Sequence, residues 1–183
     1  MTELATHGQL RMTLARWLLV LVPLIVGVGS LMGYLSNSGY GNRWFASLDL
    51  PWFTPPGYVF AIVWPILYTL MAIALAMVVS ARGARWRGPA IAAFVVQFLL
   101  NLAWSPTFFG ARQITAGFWL ILTILIAAIV TTILFGRVRK AAAWLMVPYL
   151  AWLSFASMLN FTIDQRNPDG ERLVPAAASA DIR

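Results

Sequence analysis

The sequence predicts an all-α integral membrane protein, a bundle of five transmembrane helices with a long capping loop between the first and second. Three observations predict it. Residues 17–35, 58–81, 88–111, 113–136 and 141–163 contain no Asp, Glu, Lys, Arg or His. A bilayer core about 30 Å thick takes roughly 20 apolar residues of helix, so each stretch can span it. The stretches lack the alternation of barrel strands, and lipid admits only helices or closed barrels because backbone groups must pair internally. Finally, 61% of the residues are hydrophobic and 10% charged, against about a quarter charged in a soluble domain.

Each element has its own warrant. The first helix, 15–35, is flanked by Arg11 and Arg16 like a signal peptide. It is too long for one and lacks a small-x-small cleavage site, so it reads as retained. Within it, Gly29 and Gly33 have the spacing that lets helix backbones approach closely, either inside the bundle or across a homodimer. Residues 36–57 follow, rich in Gly and Pro but carrying Tyr40, Trp44, Phe45, Trp52 and Phe53. A loop this long is usually functional or disordered, and five aromatics need somewhere to pack. It is expected to form a lid built on Trp44, Trp52, Phe53, Pro55 and Pro56; the alternative is a loop lying on the lipid surface. Helices at 58–81, 88–110, 113–136 and 141–163 come next, joined by short links that make sequential helices antiparallel neighbours. The single membrane domain thus ends at 163. Residues 164–183, with Pro168, Gly170 and an Ala-rich end, are expected to be a disordered tail.

The formal net charge of +7 is a topology signal rather than a nucleic-acid footprint. Arg11, Arg16, Arg82, Arg85, Arg87, Arg137, Arg139 and Lys140 fall on one side of the membrane with Glu3 as the only acid. The positive-inside rule then puts the N-terminus in the cytoplasm and the C-terminus outside. Apolar helices place the chain in an inner or plasma membrane, where barrels are not the rule.

Much chemistry is excluded. Cysteine is absent and the only histidine is His7, so disulfides, thiolate metal sites and His- or Cys-ligated haem are not expected. No ionisable side chain lies within a span, which removes proton relays, ion-coupling carboxylates and Schiff-base lysines. No metal, cofactor or acid–base catalyst is predicted.

Aromatic and amide groups remain. Trp17, Trp86 and Trp144 sit at span ends, as an aromatic belt would. Trp64, Trp104, Trp119 and Trp152 lie deeper, where an indole N–H needs a partner. At 100° per residue, Trp64, Tyr68 and Met71 share one face of the second span. Gln97, Asn101, Trp104 and Ser105 share another in the third, and Tyr149, Trp152, Ala156 and Asn160 do so in the fifth. Unpaired amides in hydrocarbon are costly, so these faces should point inward. Trp64 and Trp104 lie roughly 9 Å from the outer ends of their spans and Trp152 about 16 Å down, at 1.5 Å per residue. Such convergence has the form of an apolar pocket for a flat ligand, with a few polar groups to orient it. The competing reading is that Gln97, Asn101 and Asn160 only bond neighbouring helices while the tryptophans fill core. Trp119 faces no obvious polar partner and reads as packing or lipid contact.

At these residues the chain resembles the TspO/MBR family, the tryptophan-rich sensory proteins whose animal members are the translocator protein or peripheral-type benzodiazepine receptor. The likeness covers roughly 43–163. Arg43-Trp44-Phe45 through Pro55-Pro56 resembles the family's first loop. Asn101-Leu-Ala-Trp104 through Gly110-Ala111-Arg112-Gln113 resembles the end of its third helix, and Val147-Pro148-Tyr149 through Leu159-Asn160 its fifth. Departures are Phe53, with Trp52 one place early, where the proline-rich element has Trp, and the lack of a helix-four tryptophan near Ala116. A sterol-recognition outline, Leu159, Phe161 and Arg166, lacks its tyrosine.

The resemblance implies a five-helix bundle whose first loop caps a pocket for porphyrins, sterols and isoquinoline-type ligands. It places the ligand-binding and porphyrin-breakdown tryptophans at Trp64 and Trp152, further pocket positions at Asn101 and Trp104, and a small residue that influences ligand binding at Ala156. With Tyr68 and Tyr149 from helical geometry, these are the candidate ligand-binding residues. The expected function is a membrane receptor or carrier for porphyrin-type tetrapyrroles. The alternatives are a light- or oxygen-dependent porphyrin-degrading enzyme working through Trp64 and Trp152, and a scaffold with no required ligand.

Overall fold

The computed structural model describes residues 7–173. Five helices among these residues are long and apolar enough to cross a membrane, and the chain is a multi-pass membrane protein. They are α1 (His7–Leu35), α3 (Gly57–Ser80), α4 (Arg87–Ser105), α5 (Ile114–Val138) and α6 (Lys140–Arg166), with a one-turn helix α2 (Arg43–Ala46) between the first two. Neighbours around the bundle run α1, α3, α6, α5, α4, and the ring closes where α4 meets α1 at its thinnest seam. This is the five-helix bundle that the charge-free runs predict.

Physical reasons for the helices lie in the lipid environment. Pro23, Pro65 and Pro148 sit inside α1, α3 and α6, as membrane helices tolerate where neighbours and hydroxyls satisfy the freed groups. Hydroxyls inside the spans bond back to the carbonyl four residues earlier, as Thr69 Oγ1 does to Pro65 O (2.7 Å) and Ser157 Oγ to Leu153 O (2.8 Å). Such bonds hide a polar group that lipid would penalise.

The third span is not one regular helix to 110, as expected. Proline at 106 has no amide to give, and Pro106–Gly110 forms a single π-helical turn instead. The wider turn is closed by Ala111 N–H to Pro106 O (2.8 Å) and Gln113 N–H to Thr107 O (3.1 Å). Phe108 becomes fully buried through this turn.

At the opposite, basic end, Arg85 and Arg137 lie over the Trp86 ring at 5.7 and 5.6 Å.

The loop end carries a second small core of Trp44, Phe45, Leu48, Phe108, Ile114, Leu159 and Ile163. Asn42 caps α2, its Oδ1 accepting from Trp44 N–H and Phe45 N–H (3.1 and 3.3 Å). That cap drives the two aromatics down between helices, so this part of the loop packs on protein. Trp52 does not follow: it is 92% exposed.

The expected disordered tail also starts too early. Asp164–Arg166 continue α6, and Gly170–Arg172 form a 3₁₀ turn. Trp44 Nε1 donates to Gly170 O (2.8 Å), and Asp49 pairs with Arg166 (2.9 Å). Asn167 Nδ2 donates to Asp49 O (3.1 Å) while Asp49 N–H donates to Asn167 Oδ1 (2.8 Å). Gly170 fits because a Cβ there would meet Ile114 at 2.7 Å. The remaining tail, 174–183, lies outside the described residues.

Candidate functional site

A cavity of about 520 Å³ opens inside the loop end of the bundle. Its walls come from α1, α3, α4 with the π turn, α5 and α6, under residues 38–45 of the loop. The volume falls within the usual range for small-molecule sites, about 300–1,000 Å³. No Asp, Glu, Lys, Arg or His lines it.

Six of the seven candidate ligand-binding residues line this cavity: Trp64, Tyr68, Asn101, Trp104, Trp152 and Ala156. Trp64 and Tyr68, one turn apart on α3, lie 5.3 Å centroid to centroid and 32° from parallel. Trp152 of α6 meets Phe60 edge-on at 5.6 Å. Trp104 stacks on Phe108 at 5.1 Å, and its Nε1 donates to Gly117 O (3.2 Å). Its polar atom is therefore already used.

Tyr149 does not line the cavity. It is fully buried behind it and anchors a hydrogen-bond chain. Tyr68 OH donates to Asn101 Oδ1 (3.1 Å), Asn101 Nδ2 to Tyr149 OH (3.0 Å), and Tyr149 OH to Gln97 Oε1 (3.1 Å). Three helices are tied by this chain, so Gln97 and Asn101 do bond neighbours, as the competing reading held, whereas Asn160 Oδ1 has no partner. Asn101 nevertheless lines the cavity as well, held in one orientation by the tyrosines on either side.

Two polar atoms of lining residues remain without a protein partner. Trp152 Nε1 and Asn160 Oδ1 are buried and make no hydrogen bond among the described residues. Native proteins leave few such atoms, and each needs a reason.

The loop contributes differently from expectation. Trp44 is buried in the end core, Trp52 points away, and Phe53 packs on Phe155 at 6.4 Å. Pro55 O accepts from Tyr40 OH (3.0 Å), and Pro56 precedes α3. None of these five touches the cavity; Ser38, Gly39, Tyr40 and Phe45 do. Partial burial pushes the Tyr40 phenol up, so it remains a donor to Pro55 through neutral pH. Ser38 Oγ also donates to Ser105 Oγ (3.1 Å), bridging the α1–α4 seam.

Sequence reasoning missed the share of α1. Gly29, Ser30 and Gly33 line the cavity, and a Cβ on Gly29 would overlap the edge of the Tyr68 ring. The Gly29 and Gly33 spacing was the available signal. At Gly29 it serves packing inside the bundle. Trp119 is 63% exposed on the outer face of α5 and takes no part.

The TspO/MBR family profile matches residues 19–166, which takes in the second half of α1 and all the cavity walls. The chain belongs to the TspO/MBR family. It is 42% identical to the tryptophan-rich protein TspO of Chlorobaculum tepidum over 68% of this chain and 80% of that one. It is 35% identical to the human translocator protein over 81% of this chain and 90% of that one. The tryptophan-rich sensory protein of Cereibacter sphaeroides is 32% identical over 66% and 74% of the two chains. For this TspO/MBR member the likeness therefore reaches every long helix, α1 from residue 19 onward.

Proposed function

We propose that this TspO/MBR protein is a membrane receptor or carrier that binds porphyrin-type tetrapyrroles in the loop-end cavity, open toward the outer side of an inner or plasma membrane. The observation that carries the reading is a ligand-sized cavity walled by Trp64 and Trp152 with no charged side chain in its lining. Flat aromatic surfaces gain about 0.5–1.5 kcal/mol per well-placed ring contact beyond area burial. The names of the relatives, translocator and sensory protein, agree with a role in binding rather than acid–base chemistry, and the charge-free lining agrees too. The basic end faces the cytoplasm by the positive-inside rule.

The test is a Soret-band titration with protoporphyrin IX in detergent. Wild type should saturate, and Trp64→Phe/Trp152→Phe should bind about tenfold more weakly or worse, from two lost contacts of about 1 kcal/mol each. Equal affinity in both would defeat the assignment. Running the same samples under light and air decides the enzyme alternative, which requires a new chromophore to accumulate over many turnovers.

A further inference from the structure

A second cleft, of about 570 Å³, lies at the same end of the bundle on the far side of Phe109. Its character is opposite to that of the cavity. Ser36, Asn37, Asn42, Arg43 and Arg112 line it, and Phe109 lines both spaces. The two arginines come from distant parts of the chain, one opening α2 and the other between the π turn and α5. Neither has a carboxylate within ion-pairing distance among the described residues, where Arg166 with Asp49 is the only such pair. Arg112 is also held at φ +58°, a left-handed backbone that side chains other than Gly and Asn adopt at a cost. The segment keeps that conformation between Ala111 N–H to Pro106 O and Gln113 N–H to Thr107 O. Asn42 fixes the other wall, its Nδ2 donating to Phe109 O (3.4 Å) while its Oδ1 caps α2.

Arg43 and Arg112 therefore give the polar cleft two exposed cations with no protein carboxylate to neutralise them. Guanidinium forks match the paired oxygens of carboxylate and phosphate. We propose that this cleft is a binding site for a carboxylate or phosphate group, held between Arg43 and Arg112. Because Phe109 lines both spaces, an acid borne on the cavity's ligand could reach it. That clause rests on the function proposed above, whereas the anion site itself does not.

The experiment uses the full chain in phosphatidylcholine nanodiscs and compares wild type, R43Q/R112Q and R43K/R112K, changes at exposed positions. Three probes separate the sources of the anion: inorganic phosphate followed by ³¹P line broadening, protoporphyrin IX against its dimethyl ester, and phosphatidylglycerol against phosphatidylcholine by native mass spectrometry. A charge-assisted hydrogen bond is worth about tenfold in affinity or more. R43Q/R112Q should therefore lose at least about tenfold toward inorganic phosphate and the porphyrin diacid, keep its affinity for the diester, and be partly rescued by lysine. Loss confined to phosphatidylglycerol would support the site with a lipid headgroup as its source. If the diester fails to saturate while phosphate binding depends on the arginines, the cavity reading falls and the anion site stands. Unchanged binding of every anionic probe by R43Q/R112Q overturns the proposal.

Discussion

Gly29→Ala gives the sharpest energetic test, because two rules predict opposite signs. Intrinsic propensity says that Ala in a helix interior is better than Gly by about 1 kcal/mol. Packing says the reverse. A Cβ at 29 would sit 2.5 Å from Tyr68 Cζ and 2.8 Å from Cδ2, where carbon pairs prefer about 3.5–4.0 Å. The ring must retreat by roughly 1 Å to reach that separation. Its hydroxyl lies 3.1 Å from Asn101 Oδ1, so the retreat breaks that bond. Overpacking costs about 1–3 kcal/mol, and an interhelical hydrogen bond in a membrane protein about 0.6, at most about 1.7. After the propensity gain, the net loss is about 1–3 kcal/mol. Gly27 on the same helix is the control, since a Cβ there meets nothing within 4 Å. Gly33 is a second control, its nearest neighbour being Ser38 Oγ at 4.0 Å. Reversible unfolding in mixed micelles should rank Gly27→Ala and Gly33→Ala at or above wild type and Gly29→Ala well below. Equal losses at 29 and 33 would refute internal packing and favour a face shared with a second copy.

Four further outcomes follow. Gly117→Ala should lose about 1–3 kcal/mol by overpacking, because its Cβ would meet Phe108 at 2.9 Å under the Trp104 stack; a thermal melt of the purified protein checks it. Trp44→Phe takes the indole donor from the buried Gly170 carbonyl, which keeps only the longer bond from Leu173 N–H (3.3 Å), and should cost about 0.5–1.5 kcal/mol. Asp49→Asn, by contrast, breaks an ion pair whose side chains are 43% and 60% exposed and should cost about 1 kcal/mol or less; the same melt ranks them. Trp152→Phe removes a donor that has no protein partner, so ligand-free stability should stay within about 1 kcal/mol of wild type while porphyrin affinity drops.

What the sequence made legible follows from the range of the interactions involved. Five charge-free runs are a local property, and lipid turns each into a helix without help from the rest of the chain. Periodicity placed Trp64 with Tyr68 and Asn101 with Trp104, again within one helix. It could not tell a wall from a second layer, which is why Tyr149 reads as a cavity residue although it stands behind Asn101. Residues whose roles depend on distant partners were the ones missed. Gly29 looks like any small residue until Tyr68 fills its place, and Trp44 looks like a lid until its indole meets a carbonyl 126 positions away. That same contact explains the tail: composition marks 164–173 as unstructured, but Asp49, Trp44 and Thr115 each hold part of it, the last by Thr115 N–H to Glu171 (3.1 Å). The third span reads as one helix to 110 because a π turn that continues the helix leaves no mark in the sequence beyond a single proline, Pro106.

The central claim, that a flat tetrapyrrole sits between Trp64 and Trp152, is tested most directly by intrinsic fluorescence quenching with protoporphyrin IX in two single variants. Trp152→Phe removes an indole from the cavity wall, and Trp119→Phe removes one from the outer face of the bundle. Saturable quenching that weakens and shifts to higher ligand concentration in Trp152→Phe but is unchanged in Trp119→Phe is the predicted result. Quenching that never saturates, or that falls equally in both variants, would mean the porphyrin partitions into the micelle, and would contradict the account.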